Sequence, residues 1–423
     1  MEKIELINKI ISIVFSICYF YQIIYILIPF IIRERAPKKA EKLHKYAVLI
    51  SARNEEAVIT QLIDSIRDQS YPGDLVTVFV VADNCTDHTA DAARRAGAAV
   101  YERFNTVNVG KGFALDYLLG KIRADYPKGE FDGFFVFDAD NLLDESFISE
   151  MNKTFSAGHE IITSCRNSKN YATNWISAGY SLWFLRESKY LNYPRMLIGS
   201  SCAVSGTGFL VSGRIIEEND GWKFFTLTED IEFAVHSVIN GRRIAYCNTA
   251  VLYDEQPFTF RQAWNQRLRW AKGFFQVFRK YGAGLLGGMV RRRSWSCFDL
   301  LMTIMPAIFL TVFCVGTNLA AMLATLPVGG GDPMVVVKSL LSTGLNAYLL
   351  LFAVGGITVV TQWKMIHCKP VFKILYLFTF PLFMFTYVPI TLVAIFKRVE
   401  WTPIAHTEVK TLQEVRGETA GRM

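Results

Sequence analysis

Residues 133–141 read GFFVFDADN, an apolar run that ends in two aspartates. Its length and its aromatic content predict a buried strand at residues 133–137. Asp138 and Asp140 follow this strand two positions apart, so they can hold a divalent cation, which in turn can neutralise a diphosphate. Two aspartates in a loop are also typical of an ordinary turn or helix cap, and the local sequence leaves both interpretations open.

The chain around this stretch alternates between short apolar runs and helical patterns. The runs predict strands at residues 46–51, 75–82 and 98–101, and the patterns predict helices at residues 55–69, 87–96 and 111–124. This alternation predicts an α/β domain with a mostly parallel sheet covered on both faces. Ligands of such sheets bind beyond the carboxyl ends of the strands.

The predicted strand ends carry polar and acidic residues. Ala52, Arg53 and Glu55 follow the first strand, Asp83 follows the second, and Asp138 follows the strand quoted above. None of these turns has the Gly-rich pattern that cradles phosphates, so a dinucleotide or ATP site is not indicated. Polar, acidic strand ends suit a ligand with ribose and base groups together with a metal.

A second candidate motif is Thr228-Glu229-Asp230, which opens a helix predicted to end at Asn240. A threonine cap followed by acids in the first turn is ordinary helix chemistry, because both stabilise the helix N-terminus. The local sequence therefore allows a structural role as well as a catalytic one.

A third candidate motif lies in a predicted amphipathic helix at residues 258–280. Its apolar stripe contains Phe260, Trp264, Leu268, Ala271, Phe275 and Phe278. A basic, amphipathic helix that precedes an apolar run is typical of the membrane interface. Gln266, Arg267 and Trp270 lie off the stripe, and helical spacing makes them neighbours. For these three residues a role in ligand binding and a role at the membrane interface are equally compatible with the pattern.

The composition indicates a chain that has both a soluble domain and membrane-spanning segments. It has 423 residues, of which 51% are hydrophobic and 20% are charged, and a soluble domain usually carries about 25% charge. Four charge-free runs, at residues 10–32, 300–331, 339–363 and 374–396, approach or exceed the roughly 20 residues that a membrane helix needs. The last run contains Pro381 and Pro389, so a re-entrant segment is an alternative there.

Basic residues flank the first two runs. They are Arg33, Arg35, Lys38, Lys39, Lys42, Arg291, Arg292 and Arg293. Such residues mark the cytoplasmic side, so we expect a multi-pass protein of the plasma membrane with residues 33–299 in the cytoplasm. The net charge of +7 comes from these clusters, and we expect the lipid bilayer as a partner and no nucleic acid.

Taken together, the motifs resemble the membrane-embedded family 2 glycosyltransferases, which include cellulose, hyaluronan and poly-N-acetylglucosamine synthases. The ordered set is Asp83, Asp138-Ala139-Asp140, Thr228-Glu229-Asp230 and Gln266-Arg267-Leu268-Arg269-Trp270, and the resemblance extends over about residues 46–396. It implies a GT-A fold, a UDP-sugar donor, a polysaccharide acceptor, and Mg²⁺ or Mn²⁺ as cofactor.

The resemblance also implies residue roles. Asp83 would contact the uracil, Asp138 the nucleotide, and Asp140 the metal, while Asp230 would be the base with Glu229 beside it. The diphosphate and acceptor sugar would contact Gln266, Arg267, Arg269 and Trp270. Lys111 matches a segment near the donor, and Gly206 and Thr207 match a stretch under the acceptor. Ala52, Arg53 and Glu55 complete the expected donor site.

The expected function is inverting transfer of a hexose from a UDP-sugar to a growing β-linked polysaccharide, either a β-glucan or an N-acetylglucosamine-type polymer, coupled to export. Only three apolar runs follow the catalytic region, so a complete channel from one copy is in doubt, and export subunits or a homo-oligomer are candidate partners. One alternative is a transferase that adds one sugar to a lipid-linked acceptor. Another is a membrane transporter with a regulatory cytoplasmic domain.

These interpretations divide the chain into five parts. They are a transmembrane anchor at residues 1–32, a cytoplasmic GT-A domain at 33–257, an amphipathic interface helix at 258–298, a transmembrane region at 299–396, and a tail at 397–423. Trp401 in the tail belongs either to a loop that caps the donor, as in the resembling family, or to an anchor at the membrane surface.

Overall fold

The computed structural model describes residues 2–32, 42–325, 333–404 and 406–417. The first element is helix α1, Glu2–Ile31, which carries the first apolar run. The basic residues Arg33, Arg35, Lys38 and Lys39, and residues 326–331 of the second charge-free run, lie outside the described residues.

The first half of the α/β domain follows the predicted alternation. Strands β1 (Tyr46–Ala52), β2 (Val76–Asp83), β3 (Ala99–Arg103) and β4 (Gly133–Asp138) are connected through helices α2 (Ile59–Arg67), α3 (Thr89–Arg95) and α4 (Lys111–Asp125). These four strands are parallel, and β1 lies between β2 and β4. Ser51 pairs with both Val81 and Asp138, so the polar ends of the three strands meet at one edge of the sheet.

Helix α2 begins later than the predicted residue 55, because residues 53–58 form a turn in which Asn54 has a φ of 58°. Its buried residues are Ile59, Leu62, Ile63 and Ile66, which is the spacing of one apolar helix face against the sheet. The turn leaves Arg53 and Glu55 at the sheet edge.

The second half of the domain contains β5 (Leu142–Leu143), α5 (Phe147–Ser156), β6 (Ile161–Ser168), α6 (Trp175–Glu187), α7 (Tyr193–Leu197), β7 (Phe209–Ser212), α8 (Gly213–Glu218), α9 (Glu229–Ile239) and β8 (Ile244–Asp254). The sheet order is β3-β2-β1-β4-β7-β6-β8-β5. Strand β7 is antiparallel to β4 and β6, and β5 is antiparallel to β8, so this half is mixed rather than parallel. Helix α6, which follows β6, packs against the apolar helices near Val359 and Phe380.

The remaining elements are helical. They are α10 (Phe260–Arg291), α11 (Trp295–Ile304), α12 (Pro306–Thr325), α13 (Pro333–Thr361), α14 (Pro370–Phe385), α15 (Tyr387–Phe396) and α16 (Leu412–Arg416). Thr259 and Gln262 form a capping box at the start of α10, which satisfies free N–H groups there. Helix α10 is longer than predicted. Leu268 and Ala271 of its apolar stripe pack against Ile390 and Ala394 of α15, so protein rather than lipid covers the middle of the stripe.

Three of the described helices are long and apolar enough to cross a membrane: Leu6–Ile31, Val336–Thr361 and Pro370–Phe396. Trp295–Ile304 and Phe309–Ala320 would form a fourth as a pair bent by 41°. The charge-free run at residues 374–396 lies within Pro370–Phe396, which comprises α14 and α15.

A buried network attaches α1 to the rest of the chain. Asp299 in α11 accepts hydrogen bonds from the hydroxyl groups of Tyr21 (2.9 Å) and Tyr25 (2.7 Å). The same carboxylate accepts two bonds from the guanidinium of Arg195, at 2.8 and 2.7 Å. Asp299 and Arg195 are almost fully buried. Each neutralises the charge of the other, which offsets the cost of removing both charges from water.

Candidate active site

A cavity of about 520 Å³ opens at the carboxyl ends of β1, β2 and β4. Its walls include all but two of the residues that the sequence singled out: Ala52, Arg53, Glu55, Asp83, Lys111, Asp138, Asp140, Gly206, Glu229, Asp230, Gln266, Arg269 and Trp270. Residues far apart in sequence thus meet at one place, as the strand-end rule predicts.

Asp83 lies at the end of β2 and is buried in an ion pair with Arg103. The guanidinium of Arg103 also donates a 2.5 Å hydrogen bond to the carbonyl of Asn108. Because the guanidinium of Arg103 is bonded both to Asp83 and to the carbonyl of Asn108, the carboxylate of Asp83 has a fixed position in the cavity wall. It is a defined acceptor for N–H groups of a ligand.

Lys111 connects the strand-end side of the cavity to the opposite wall. Its ammonium donates hydrogen bonds to Asp138 Oδ1 (2.5 Å) and to the carbonyl of Gly206 (2.7 Å). Gly206 has a φ of 80°, a conformation that favours glycine. The residue next to it, Thr207, lies behind the wall, where Asp138 N donates to its Oγ1 at 2.9 Å. Thr207 therefore supports Asp138 from outside the cavity.

Asp140 is buried, and its Oδ2 accepts a 2.8 Å hydrogen bond from the backbone N–H of Glu255. Burial alone would raise the pKa of Asp140, but the charges of His406 and Lys169 lower that pKa below its usual range. His406 Nδ1 lies 2.9 Å from Glu55 Oε1. Burial raises the pKa of Glu55 to about 7, although His406 acts against this shift.

The donor set at Asp138 and Asp140 is compatible with Mg²⁺ or Mn²⁺. Within the described ranges, no group of three or more His, Cys, Asp and Glu side chains is placed to hold a metal without a further ligand. Mg²⁺ is usually held by one or two carboxylates together with substrate phosphates and water. Two strand-end carboxylates beside an open cavity meet that requirement, and a diphosphate would supply the missing ligands.

Glu229 and Asp230 lie in the first turn of α9 and face the cavity. Burial, together with the charge of Asp230, raises the pKa of Glu229 to about 7, and the charge of Lys111 acts against this shift. Burial also raises the pKa of Asp230, against hydrogen bonds from backbone N–H groups and the charge of Lys111. A buried carboxylate with a raised pKa is a suitable proton acceptor near neutral pH.

Gln266, Arg269 and Trp270 of α10 line the wall opposite the sheet. Trp270 makes edge contacts with the rings of Tyr180 (5.8 Å between centroids) and Phe184 (6.2 Å). Among the described residues, Gln266 Oε1 is buried without a hydrogen-bond partner. A polar atom in that state is available to a ligand.

Arg267 does not lie where the resemblance implied. It is 1% exposed, and its Nη1 donates to the carbonyl of Phe383 (3.2 Å) and to Thr386 Oγ1 (2.5 Å). Its guanidinium also lies 4.4 Å from the centre of the Phe383 ring. Arg267 therefore supports the break between α14 and α15, where the carbonyl of Phe383 also accepts a hydrogen bond from Thr386, and it does not contribute to the cavity wall.

The structure adds wall residues that the sequence reasoning missed. Arg166 donates a 2.6 Å hydrogen bond from Nε to Asp254 Oδ2 and a 3.0 Å bond from Nη1 to the carbonyl of Ser205. Glu187 and Arg195 also line the cavity. Asp254 and Glu255 could have been found, because they follow the apolar strand at residues 244–253 in the same way that Asp138 follows its strand.

The tail crosses the mouth of the cavity. The ring of Trp401 lies 5.2 Å from the guanidinium of Arg53 and 6.0 Å from that of Arg269. The backbone N–H groups of Thr407 and Glu408 donate to the carboxylate of Glu255, at 3.0 and 2.9 Å. Trp401 is therefore part of the cavity wall.

The C-terminal helices contribute a mostly apolar part of the cavity wall, which includes Ile304, Met305, Ala307, Leu351 and Val388. Thr303, Thr311 and Thr391 add hydroxyl groups to it. Met305 lies between α11 and α12, and the others belong to α11, α12, α13 and α15. Asn318 of α12 exchanges hydrogen bonds with Asn8 of α1 at 2.9 and 2.8 Å.

Residues 44–273 match the model of a family described as glycosyltransferase like family 2. The chain is 27% identical over 263 residues to a probable glycosyltransferase, YdaM, of Bacillus subtilis, covering 57% of this chain and 58% of that protein. It is 25% identical over 240 residues to the beta-monoglucosyldiacylglycerol synthase of Synechocystis, covering 55% and 48%. The match therefore spans about half the length of these curated relatives.

Among solved structures, the mannosyltransferase PcManGT from Pyrobaculum calidifontis, in complex with GDP-Man and Mn²⁺, is similar with a TM-score of 0.59. The identity is 18%, over 93% of this chain and 99% of that chain. At this identity the likeness shows a shared fold.

Proposed function

Because the chain belongs to glycosyltransferase like family 2 and has the GT-A-like α/β fold, we propose that it transfers a hexose from a nucleotide sugar to a hydroxyl group of a membrane lipid. The observation that carries this proposal is the cavity that joins strand-end carboxylates to mostly apolar walls contributed by α11, α12, α13 and α15. A water-soluble donor suits the polar end, and a hydrocarbon chain suits the apolar end.

The nucleotide binds at the ends of β1, β2 and β4. Asp83 accepts hydrogen bonds from the base, and the resemblance to UDP-sugar enzymes makes UDP the nucleotide that we favour. Asp138 and Asp140 are the residues that would hold Mg²⁺ or Mn²⁺. The bound cation would stabilise the charge that develops on the leaving diphosphate, and Arg269, next to Trp401, adds a second positive charge there.

The acceptor hydroxyl loses its proton to the carboxylate of Asp230 as its oxygen forms a bond to the anomeric carbon. The bond from that carbon to the diphosphate oxygen breaks, and the nucleoside diphosphate leaves with the electron pair. One displacement inverts the anomeric centre, so an α-linked donor gives a β-linked product. Lys111, which contacts both Asp138 and Gly206, connects the donor to the acceptor side.

The hydroxyl group belongs to a lipid in this proposal because the cavity beyond Asp230 has apolar walls. A relative of similar sequence is named for synthesis of a monoglucosyldiacylglycerol. The catalytic domain would lie on the cytoplasmic side of the plasma membrane, with α1 and the C-terminal helices in the bilayer. This arrangement brings donor from water and acceptor from the membrane into one site.

Extension of a β-linked polysaccharide is the second candidate function. It is favoured by Trp270 and Phe184, which are in contact and both line the cavity, because aromatic side chains present large, rigid apolar surfaces. Gln266, with its free oxygen, would hydrogen-bond such a sugar. Export with further subunits or further copies of the chain belongs to this second function.

The proposal is tested with full-length protein in lipid nanodiscs, which avoid sugar-based detergents. UDP-glucose, UDP-N-acetylglucosamine and GDP-mannose are each supplied with Mn²⁺ or Mg²⁺, and nucleoside diphosphate release is measured. Radiolabelled products are then separated into organic and aqueous phases and sized. We expect a glycolipid bearing one sugar. A water-soluble polymer as the sole product would instead establish the second function, and no turnover of any nucleotide sugar would contradict both.

A further inference from the structure

The long helix α10 and the turn after it carry positive charge only. The sequence has no aspartate or glutamate between Glu255 and Asp299, while lysines and arginines occur throughout this stretch. In the middle of the helix these cations have partners. Lys272 donates to carbonyl groups of α15 at 3.0 and 3.4 Å, and Lys280 pairs with Glu232. The cations at the end of the helix are in a different state.

Arg291, Arg292 and Arg293, which we call the arginine turn, connect α10 to α11. All three are exposed, and none of them forms an ion pair with a carboxylate among the described residues. The guanidinium of Arg292 makes one weak contact, a 3.8 Å hydrogen bond to Cys297 Sγ. Three adjacent guanidinium groups without an anion attract one, and their planar sets of N–H groups match the oxygens of a phosphate.

The backbone of the arginine turn is strained at Arg293, whose φ is 51°. A residue in this conformation just past the end of a helix is usually glycine. The N–H of Ser294 closes the turn by donating to the carbonyl of Gly288 at 3.1 Å. The chain therefore keeps a charged side chain where glycine would be more stable, and strain of this kind is concentrated at functional sites.

Apolar side chains next to the arginine turn are also exposed. Leu286 and Val290 lie four residues apart on one face of α10, and Val290 is 68% exposed. Trp295, which is 44% exposed, begins the bent pair of helices that together are long and apolar enough to cross a membrane. Its Nε1 donates a 2.7 Å hydrogen bond to Tyr25 of α1, another such helix. Tryptophan at the end of a membrane helix is typical of the headgroup level of a bilayer.

From these features we propose that the arginine turn binds an anionic phospholipid of the membrane. The phosphate contacts the three guanidinium groups, and the acyl chains lie along Leu286, Val290 and Trp295. The inference rests on the membrane location given in the proposed function, but none of these residues lines the catalytic cavity, so the site is separate from that of the acceptor. A zwitterionic lipid has the same phosphate together with an ammonium group that offsets its charge, so the site selects lipids with a net negative charge.

The test measures lipid binding directly. Full-length protein in a non-ionic detergent is titrated with phosphatidylglycerol or with phosphatidylcholine of the same acyl chains, and native mass spectrometry gives the Kd of the first bound molecule. We expect phosphatidylglycerol to bind at least about tenfold more tightly, because each basic residue near an anionic headgroup strengthens binding about fivefold. Equal Kd values would overturn the inference. Glycerol 3-phosphate in excess should leave the lipid bound, and displacement would show a site for free phosphates instead.

Two matched variants check that the arginine turn is the site. The first changes its three arginines to glutamine: Arg291→Gln, Arg292→Gln and Arg293→Gln. The control removes the same number of exposed cations from α2, α3 and α4 of the α/β domain: Arg67→Gln, Arg95→Gln and Lys121→Gln. We expect the first variant to lose the preference for phosphatidylglycerol and the control to keep it. The same preference in both variants would overturn the inference.

A third variant separates binding from stability. Arg293→Gly removes one charge and relieves the backbone strain, so its melting temperature should equal or exceed that of the wild type, while phosphatidylglycerol should bind about fivefold more weakly. Unchanged binding in this variant would contradict a contact between Arg293 and the phosphate. Because these measurements need no sugar donor, lipid selectivity without any sugar transfer would overturn the proposed function alone.

Discussion

At the scale of single residues, the most specific prediction concerns Asp230 as the base. Asp230→Asn keeps the shape of the side chain but cannot accept a proton at neutral pH, so turnover should fall by about 10²–10⁴-fold. Nucleotide-sugar binding, measured by calorimetry, should stay near that of the wild type. If Asp230 only capped α9, the amide would serve as well, because asparagine is as good a cap as aspartate. A folded variant that keeps more than about a tenth of wild-type turnover would therefore contradict the role as base.

The proposed role of Asp230 as the base also predicts how turnover depends on pH. The base acts only when deprotonated, so kcat should rise with pH through the pKa of Asp230 and level off above it. Because burial raises that pKa, the acid limb should lie above the ordinary aspartate value of 3.8. The profile of kcat from pH 4 to 9 at saturating donor measures this limb. A flat profile down to the ordinary aspartate range would show that Asp230 is not the base.

The proposed role of Asp140 predicts that nucleotide binding and turnover depend on a divalent metal ion. Asp140→Asn removes the charge of a strand-end carboxylate, and Mn²⁺-dependent binding of nucleoside diphosphate should be lost in calorimetric titrations. Asp91→Asn, on the exposed side of α3, is the matched control and should bind normally. Full activity of the wild type in EDTA would contradict a metal-dependent reaction.

At the scale of elements, α10 carries two neighbouring arginines with different tasks. Arg267 is buried against the α14–α15 break, whereas Arg269 lines the cavity. Arg267→Gln should destabilise the protein by about 1.5–3 kcal/mol, since it removes hydrogen bonds from a charged group to buried acceptors. Arg269→Gln should keep the wild-type melting temperature and lose turnover. Thermal unfolding in nanodiscs with parallel activity assays separates the two, and the reverse pattern would contradict this assignment.

At the scale of the whole molecule, the sheet and the helices share one core. The cluster that contains Leu49 and Phe233 also contains Leu285 and Leu300 of α10 and α11. The boundary predicted at residue 257 therefore cuts through this cluster. A fragment of residues 42–257 would expose apolar surface and lack Gln266, Arg269 and Trp270, so we expect it to aggregate and to show no transfer. A soluble fragment with wild-type transfer rates would show that the helices are dispensable.

The sequence by itself determined much of the donor side of this protein. Strands and helices were predictable from local periodicity, and the ends of parallel strands always meet at one edge, so Asp83 and Asp138 could be placed together without coordinates. The helix at Glu229 and the long amphipathic helix were also predictable, because capping and apolar spacing are local properties. The match over residues 44–273 supports the same family of enzymes.

Only the tertiary structure decided the roles that depend on long-range packing. Arg267 and Arg269 are two positions apart in one motif, yet one is buried against Thr386 and the other faces the cavity, because α15 covers one side of α10. The position of Trp401 over Arg53 joins segments at opposite ends of the chain, which no local pattern encodes. The apolar end of the cavity arises in the same way, from helices α11 to α15 that meet beside the sheet. Side chains acquire these roles from neighbours distant in sequence, and periodicity carries information only about near ones.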